Sequence, residues 1–281
     1  MKKVGVLGAG TMGSGIAQVI ATAGYQVVLR DIKEEYVEQG LKRIRKNLER
    51  SVEKGKISAK EMKGTLNNIE TSTELEDLKD ADLIIEAIVE NMKIKKEVFK
   101  ELDELCKEET ILATNTSALS ITEIATITQR PDNFLGIHFF NPVPVMGLVE
   151  LIRSITTSDE TFDKIETFIN NINKTSVEVE EAPGFVVNRL LIPMINEATY
   201  LLMEGVASVE DIDTAMKLGA NHPIGPLALA DLIGLDICLA VMETLFEELG
   251  ESKYRPCPLL RKKVRAKQLG RKTGEGFYKY D

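Results

Sequence analysis

Tryptophan is absent from the 281 residues, histidine occurs only twice, and aromatic residues make up 5%. No aromatic-lined cage is therefore expected, and two histidines without a cysteine cluster exclude the usual zinc-ligand patterns. The three cysteines, Cys106, Cys238 and Cys257, are odd in number, widely spaced and in no C-x-x-C pair. A disulfide framework is not expected, and a reduced, cytoplasmic setting fits. No apolar run reaches the ~18 residues that a membrane-spanning helix needs. The N-terminal apolar run is too short for a secretory signal. Positive charge is in deficit: 35 Lys and Arg stand against 44 Asp and Glu, a formal net charge of −9. That balance argues against nucleic acid or an anionic membrane surface as the main partner. An anionic substrate would have to be met by local basic residues.

What remains is ordinary globular composition, 43% hydrophobic and 28% charged, in a chain long enough for one large domain or two smaller ones. Its informative stretch opens the chain. The apolar run Val4-Gly5-Val6-Leu7 leads into Gly8-Ala9-Gly10-Thr11-Met12-Gly13 and then into a helical pattern. Gly8 suits a tight turn, Gly10 admits a pyrophosphate close to the backbone, and Gly13 lets helix and strand pack closely. The N–H groups of the helix's first turn, at Thr11, Met12 and Gly13, face the phosphates with the positive end of the dipole behind them. A strand follows at Gln26–Arg30 and ends at Asp31, eighteen residues beyond Gly13. An acid at this place accepts from the adenosine ribose hydroxyls. The chain is expected to begin with a dinucleotide-binding fold.

After Asp31 the third strand is delayed. Val37, Leu41, Ile44, Leu48 and Val52 follow helical spacing, Gly55 ends that helix, and Ser58 with Glu61 forms a capping-box pattern. A helical hairpin over about residues 33–66 is expected to interrupt the sheet. It reads either as a solvated arm or as a flap whose cations Lys54 and Lys56 hold an anionic part of a substrate. Strands are then expected at Ile69–Ser72, Leu83–Ile88, Thr110–Thr114, Phe134–Phe139, Val149–Ile152 and Ser176–Val179, with helices at Lys95–Cys106, Ser120–Thr126 and Asp159–Ile172. Such alternation implies a mostly parallel, doubly wound α/β sheet. At Pro183-Gly184 the texture changes to helices alone: Val187–Glu204, Ser208–Leu218, Pro226–Leu249 and Pro258–Gln268. We therefore expect two domains, a Rossmann-type domain over residues 1–183 and an all-helical one over 184–281.

Ligands of open α/β sheets lie beyond the carboxyl ends of the strands. That rule gathers Glu90, Lys95, Asn115, Thr116, Ser117, His138 and Asn141 along one edge. Histidine is the natural proton carrier for a carbonyl–alcohol couple near neutral pH. His138, between Ile137 and Phe139, could be a hydrogen-bonded core residue. Its place at a strand end, with Glu150 available to orient it, favours chemistry. His222, in Asn221-His222-Pro223, reads as a turn residue.

These motifs carry a resemblance. Gly8–Gly15, Glu86-Ala87-Ile88-Val89-Glu90-Asn91, Asn115-Thr116-Ser117, His138-Phe139-Phe140-Asn141-Pro142, Pro183-Gly184-Phe185-Val186-Val187-Asn188-Arg189, Asp211-Ile212-Asp213, Gly225-Pro226 and Gly270-Arg271-Lys272-Thr273-Gly274-Glu275-Gly276-Phe277-Tyr278 occur in that order. Together they resemble the 3-hydroxyacyl-CoA dehydrogenase family over nearly the whole chain, most closely its short bacterial members that act on 3-hydroxybutyryl-CoA. The resemblance implies that His138 is the general acid/base and Glu150 its partner. It implies that Ser117 and Asn188 hold the reacting oxygen and thioester region. Glu90, Lys95, Ser117 and Asn141 match positions lining the nicotinamide cofactor, and Lys54 a flap position near the CoA phosphates. It further implies an acyl-CoA substrate, short-chain acyl-CoA metabolism, and a homodimer formed through the helical domain. Gly147 stands where the family usually has lysine, Ala118 replaces a common serine, and Ala228 a common glutamate. Asn47 matches a flap position that is serine in some relatives.

Asp31 favours NAD, while Arg30 and Lys33 supply cations that leave NADP open. Two rival readings remain. One is a dehydrogenase acting on a hydroxy acid without CoA, and the other a dinucleotide-binding protein without catalysis. The intact set His138, Glu150, Ser117 and Asn188 speaks against the second.

Overall fold

The computed structural model describes residues 1–280, which form two compact units meeting at Glu181 and Ala182. The first is built on one eight-stranded sheet. Its elements run β1 (Lys3–Leu7), α1 (Thr11–Thr22), β2 (Gln26–Arg30), α2 (Glu34–Glu53), α3 (Ala59–Asn67), β3 (Ile69–Ser72), β4 (Leu83–Glu86), α4 (Met92–Leu105), β5 (Ile111–Thr114), α5 (Ile121–Ala125), β6 (Phe134–Phe139), β7 (Leu148–Arg153), α6 (Asp159–Asn171) and β8 (Thr175–Glu180).

Their order in the sheet is β3-β2-β1-β4-β5-β6-β7-β8. The first six strands are parallel, β7 is antiparallel to β6, and β8 is parallel to β7. The inner strands β4 and β5 are buried at every position, as a sheet covered on both faces requires. Val4, Val6, Ile16, Ile20, Leu83, Ile85, Ala113 and Leu135 belong to its core. The expected doubly wound sheet is the observed one. The hairpin is α2 and α3. Val37, Ile44 and Leu48 are buried, and Ser58 closes a full capping box with Glu61. Gly40 lets α2 come close to the glycine turn, since a Cβ there would stand 2.8 Å from the Ala9 carbonyl oxygen.

The second unit contains α7 (Val187–Met203), α8 (Val209–Gly219), α9 (Pro226–Ile233), α10 (Leu235–Leu249) and α11 (Pro258–Arg265). The single helix expected over Pro226–Leu249 is two. Gly234, at φ +108°, breaks it between α9 and α10. Likewise the strand expected to reach Ile88 stops at Glu86, whose carboxylate turns back to accept the Ile88 N–H at 2.7 Å. Two buried aspartates fasten this unit. Asp213 accepts the N–H groups of Leu227 and Ala228 and the Tyr278 hydroxyl. Asp231 accepts the N–H groups of Phe277 and Tyr278 and the Tyr280 hydroxyl.

Candidate active site

The turn from β1 to α1 is shaped for a closely approaching ligand. Gly8 has φ +93°, and a Cβ there would lie 2.5 Å from the Ala87 carbonyl oxygen. A Cβ on Gly13 would lie 1.7 Å from the Gly8 carbonyl oxygen, so both positions need glycine. Gly10 differs: a Cβ would meet nothing within 4 Å, so its missing side chain leaves open space. The first rung of α1 is Ser14 N–H to Gly10 C=O, which leaves the amides of Thr11, Met12 and Gly13 outside the helical ladder. An open space edged by such amides fits a pyrophosphate.

Asp31 stands at the end of β2, half-buried, and braces this turn. Its Oδ2 accepts the Ala9 N–H at 2.7 Å and its Oδ1 the Ile32 N–H at 2.7 Å. Neither neighbouring cation pairs with it. Arg30 donates through Nε to the Thr73 carbonyl, and Lys33 Nζ lies over the Tyr36 ring. Arg43, from α2, donates to the Ala9 carbonyl at 2.9 Å and was not singled out from the sequence.

A hydrogen-bonded cluster closes the ends of β4 and β5. Lys95 Nζ, buried in the first turn of α4, lies 2.5 Å from Glu86 Oε1 and 3.3 Å from Glu90 Oε2. Glu86 Oε2 accepts the Thr114 hydroxyl at 2.7 Å. Glu90 Oε1 accepts the Thr116 hydroxyl at 2.5 Å and the Ser117 N–H at 3.1 Å. The cluster therefore fixes the loop that carries Ser117. Asn115 ties the same loop to β6 by accepting the Phe139 N–H at 2.8 Å.

His138 is the fifth residue of β6 and pairs in register with Glu150 of β7. Because β7 runs antiparallel, the two side chains emerge side by side on one face. His138 Nδ1 is 2.7 Å from Glu150 Oε2, with Glu150 wholly buried and the imidazole nearly so. The ring also lies 4.6 Å, centroid to centroid, from Phe140. Asn141 follows on the exposed loop after β6. Beyond it, Lys174 Nζ donates to the Val143 and Met146 carbonyls, and burial pushes its ammonium below the usual lysine value.

Lys54, at the C-terminal end of α2, lines a pocket with Arg50, Lys56, Gln18, Asn47 and Pro144. Gly147 is exposed, and a Cβ there would meet no atom within 4 Å, so nothing steric requires glycine at this position. Asn188 is the second residue of α7, in the helical unit. Among the described residues no cluster of His, Cys, Asp and Glu could hold a metal ion, and no helix is long and apolar enough to cross a membrane.

Two family descriptions account for the chain. Residues 3–182 match the 3-hydroxyacyl-CoA dehydrogenase NAD binding domain, and residues 184–280 match the C-terminal domain of the same family. The chain belongs to the 3-hydroxyacyl-CoA dehydrogenase family. Its N-terminal unit is thus the family's NAD-binding domain, which agrees with the open turn at Gly10.

Family members resemble it end to end. The 3-hydroxybutyryl-CoA dehydrogenase of Clostridioides difficile is 58% identical over 279 residues, covering 99% of both chains. The human mitochondrial hydroxyacyl-coenzyme A dehydrogenase is 47% identical, covering all of this chain and 91% of its own. Among solved structures, the (S)-3-hydroxybutyryl-CoA dehydrogenase PaaH1 of Ralstonia eutropha superposes with a TM-score of 0.97 at 50% identity, covering 100% and 99% of the two chains. Sequence reasoning gave no role to Glu86, Thr114 or Arg43, although a glutamate within an otherwise apolar strand is a signal that could have found the first.

Proposed function

We propose that this protein is a cytoplasmic 3-hydroxybutyryl-CoA dehydrogenase, interconverting acetoacetyl-CoA and 3-hydroxybutyryl-CoA in short-chain acyl-CoA metabolism. The observation that carries the reading is the buried His138–Glu150 pair at the strand edge of an NAD-binding domain. NADH, when bound, supplies the hydride that reduces C3 of the thioester substrate. The glycine turn with Thr11 and Met12 holds its pyrophosphate, Asp31 its adenosine ribose, and Glu90, Lys95, Ser117 and Asn141 the nicotinamide end.

His138 gives a proton from Nε2 to the C3 oxygen as it becomes an alcohol, and takes it back in the oxidative direction. Glu150 accepts from Nδ1, which fixes the tautomer and offsets the charge of the imidazolium. Such acid–base assistance is worth about 10²–10⁴-fold in rate. Ser117 and Asn188 orient the reacting oxygen and the thioester. Lys54, with Arg50 and Lys56 beside it in the same pocket, supplies the local positive charge that a CoA phosphate needs in a chain of net charge −9.

NAD is preferred over NADP, supported by the Asp31 carboxylate at the end of β2 and by the engagement of Arg30 with Thr73. Residues 1–183 serve as the cofactor domain and 184–281 as a substrate and dimerisation domain. Exposed Leu190, Val206 and Leu218 support a homodimer through that helical part.

The test follows nicotinamide absorbance with NADH or NADPH and either acetoacetyl-CoA or free acetoacetate. Fast oxidation of NADH with the thioester alone is expected. Equal rates with the free acid would favour a hydroxy-acid dehydrogenase, and binding of NADH without turnover a non-catalytic role.

A further inference from the structure

The cluster at the ends of β4 and β5 holds more negative charge than its single ammonium neutralises. Glu86 is 0% exposed and Lys95 1% exposed. Lys95 stands between two carboxylates, nearer to Glu86 than to Glu90. The other partners of both acids are neutral donors: the Ile88 N–H and Thr114 hydroxyl on Glu86, and the Thr116 hydroxyl and Ser117 N–H on Glu90. Thr116 Oγ1 accepts the N–H groups of Ala118 and Leu119, which use both of its lone pairs, so its proton is given to Glu90. The Thr114 hydroxyl accepts the Thr116 N–H and donates to Glu86. Both acids act only as acceptors in these bonds, as two ionised groups would, and with Lys95 they sum to one excess negative charge.

The buried members Glu86 and Lys95 pair one to one at 2.5 Å, so the excess falls on Glu90, whose side chain is 40% exposed. Its position suggests its use. The strand order reverses between β1 and β4, and a dinucleotide lies across such a crevice. Gly8–Gly13 follows β1 and Asp31 ends β2 on the adenosine side, so the nicotinamide half falls on the side of β4, which Glu86 terminates. Oxidised nicotinamide carries a positive charge that the reduced ring lacks. The positive end of α4, equivalent to about half a charge, offsets the excess only in part.

We propose that the Glu86–Lys95–Glu90 cluster is a built-in negative charge that favours binding of NAD⁺ relative to NADH. Glu86 acts from beneath the site, without touching the cofactor. The inference rests on the cofactor placement proposed above.

The test is a binding measurement without substrate. NADH affinity is read from nicotinamide fluorescence and NAD⁺ affinity from its displacement, for the native protein and for Glu86→Gln. The ratio Kd(NAD⁺)/Kd(NADH) is expected to rise roughly three- to tenfold, the scale of a partly offset unit charge about 10 Å away at an effective dielectric near 20. Glu90→Gln, at a half-exposed position, is expected to move the ratio the same way, and it carries the test if Glu86→Gln does not fold. Asp31→Asn separates the two readings: it should weaken both forms of the cofactor together and leave the ratio unchanged. No weakening in Asp31→Asn would overturn the cofactor placement. A native ratio in Glu86→Gln, or in Glu90→Gln where that variant carries the test, alongside a weakened Asp31→Asn, would overturn the charge proposal alone.

Discussion

His138 and Glu150 are register partners across the antiparallel pair β6–β7, with Nδ1 and Oε2 2.7 Å apart and the carboxylate wholly buried. The register of β7 on β6 sets this relationship.

Removing the charge while keeping the shape isolates the role of the acid. Glu150→Gln is expected to lower kcat for acetoacetyl-CoA reduction by about 10²-fold or more, since the imidazolium loses its counter-charge. NADH affinity, measured by fluorescence titration, should stay within about twofold.

Cofactor choice is expected to depend on Asp31. Asp31→Ser removes the carboxylate that would repel a 2′-phosphate and also releases the Ala9 amide. The ratio of kcat/KM for NADPH to that for NADH should rise at least tenfold. An unchanged ratio would shift the determinant to Arg43 or Lys33.

In the helical unit, Asp231 receives three donors while 1% exposed. Asp231→Ala leaves two backbone amides and a hydroxyl short of an acceptor, at an expected cost of about 2–4 kcal/mol. Chemical denaturation should show the loss as a lower midpoint.

The fold class was legible because β-strand runs, glycine turns and amphipathic helices repeat in order, each a local signal. Less legible was what depended on contacts distant in sequence. The break at Gly234 was hidden by apolar residues on both sides that continue a helical pattern. Glu86 reads as the end of a strand, and its side-chain partners Lys95 and Thr114 arrive from α4 and β5. Arg43 lies on a helix whose surface is rich in charge, and nothing in its spacing marks it as the residue that reaches Ala9. His138 and Glu150 stood out early because strand ends are where chemistry collects and the two lie on consecutive strands.

Stability is expected to fall on the alkaline side. Burial pushes the thiol of Cys106 up to about 11 and that of Cys238 to about 12, from an ordinary 9.0. Burial also raises Cys257, and raises Tyr278 and Tyr280 together with their hydrogen bonds to Asp213 and Asp231. Above about pH 9 the unfolded chain releases protons that the native protein keeps, so stability declines as pH rises toward 11–12. Lys174, held below its usual value, works the other way but is one group against five. Urea midpoints between pH 8 and 11 should show the decline. A thiol reagent at pH 8 should label none of the three cysteines in the native protein and all three after unfolding.

The most direct measurement compares native protein and His138→Gln for NADH-dependent reduction of acetoacetyl-CoA, with NADH binding titrated on the same samples. Loss of about 10²–10⁴-fold in kcat with NADH affinity intact is the predicted result. Turnover retained within tenfold, or turnover and NADH affinity lost together, would contradict His138 as the proton carrier.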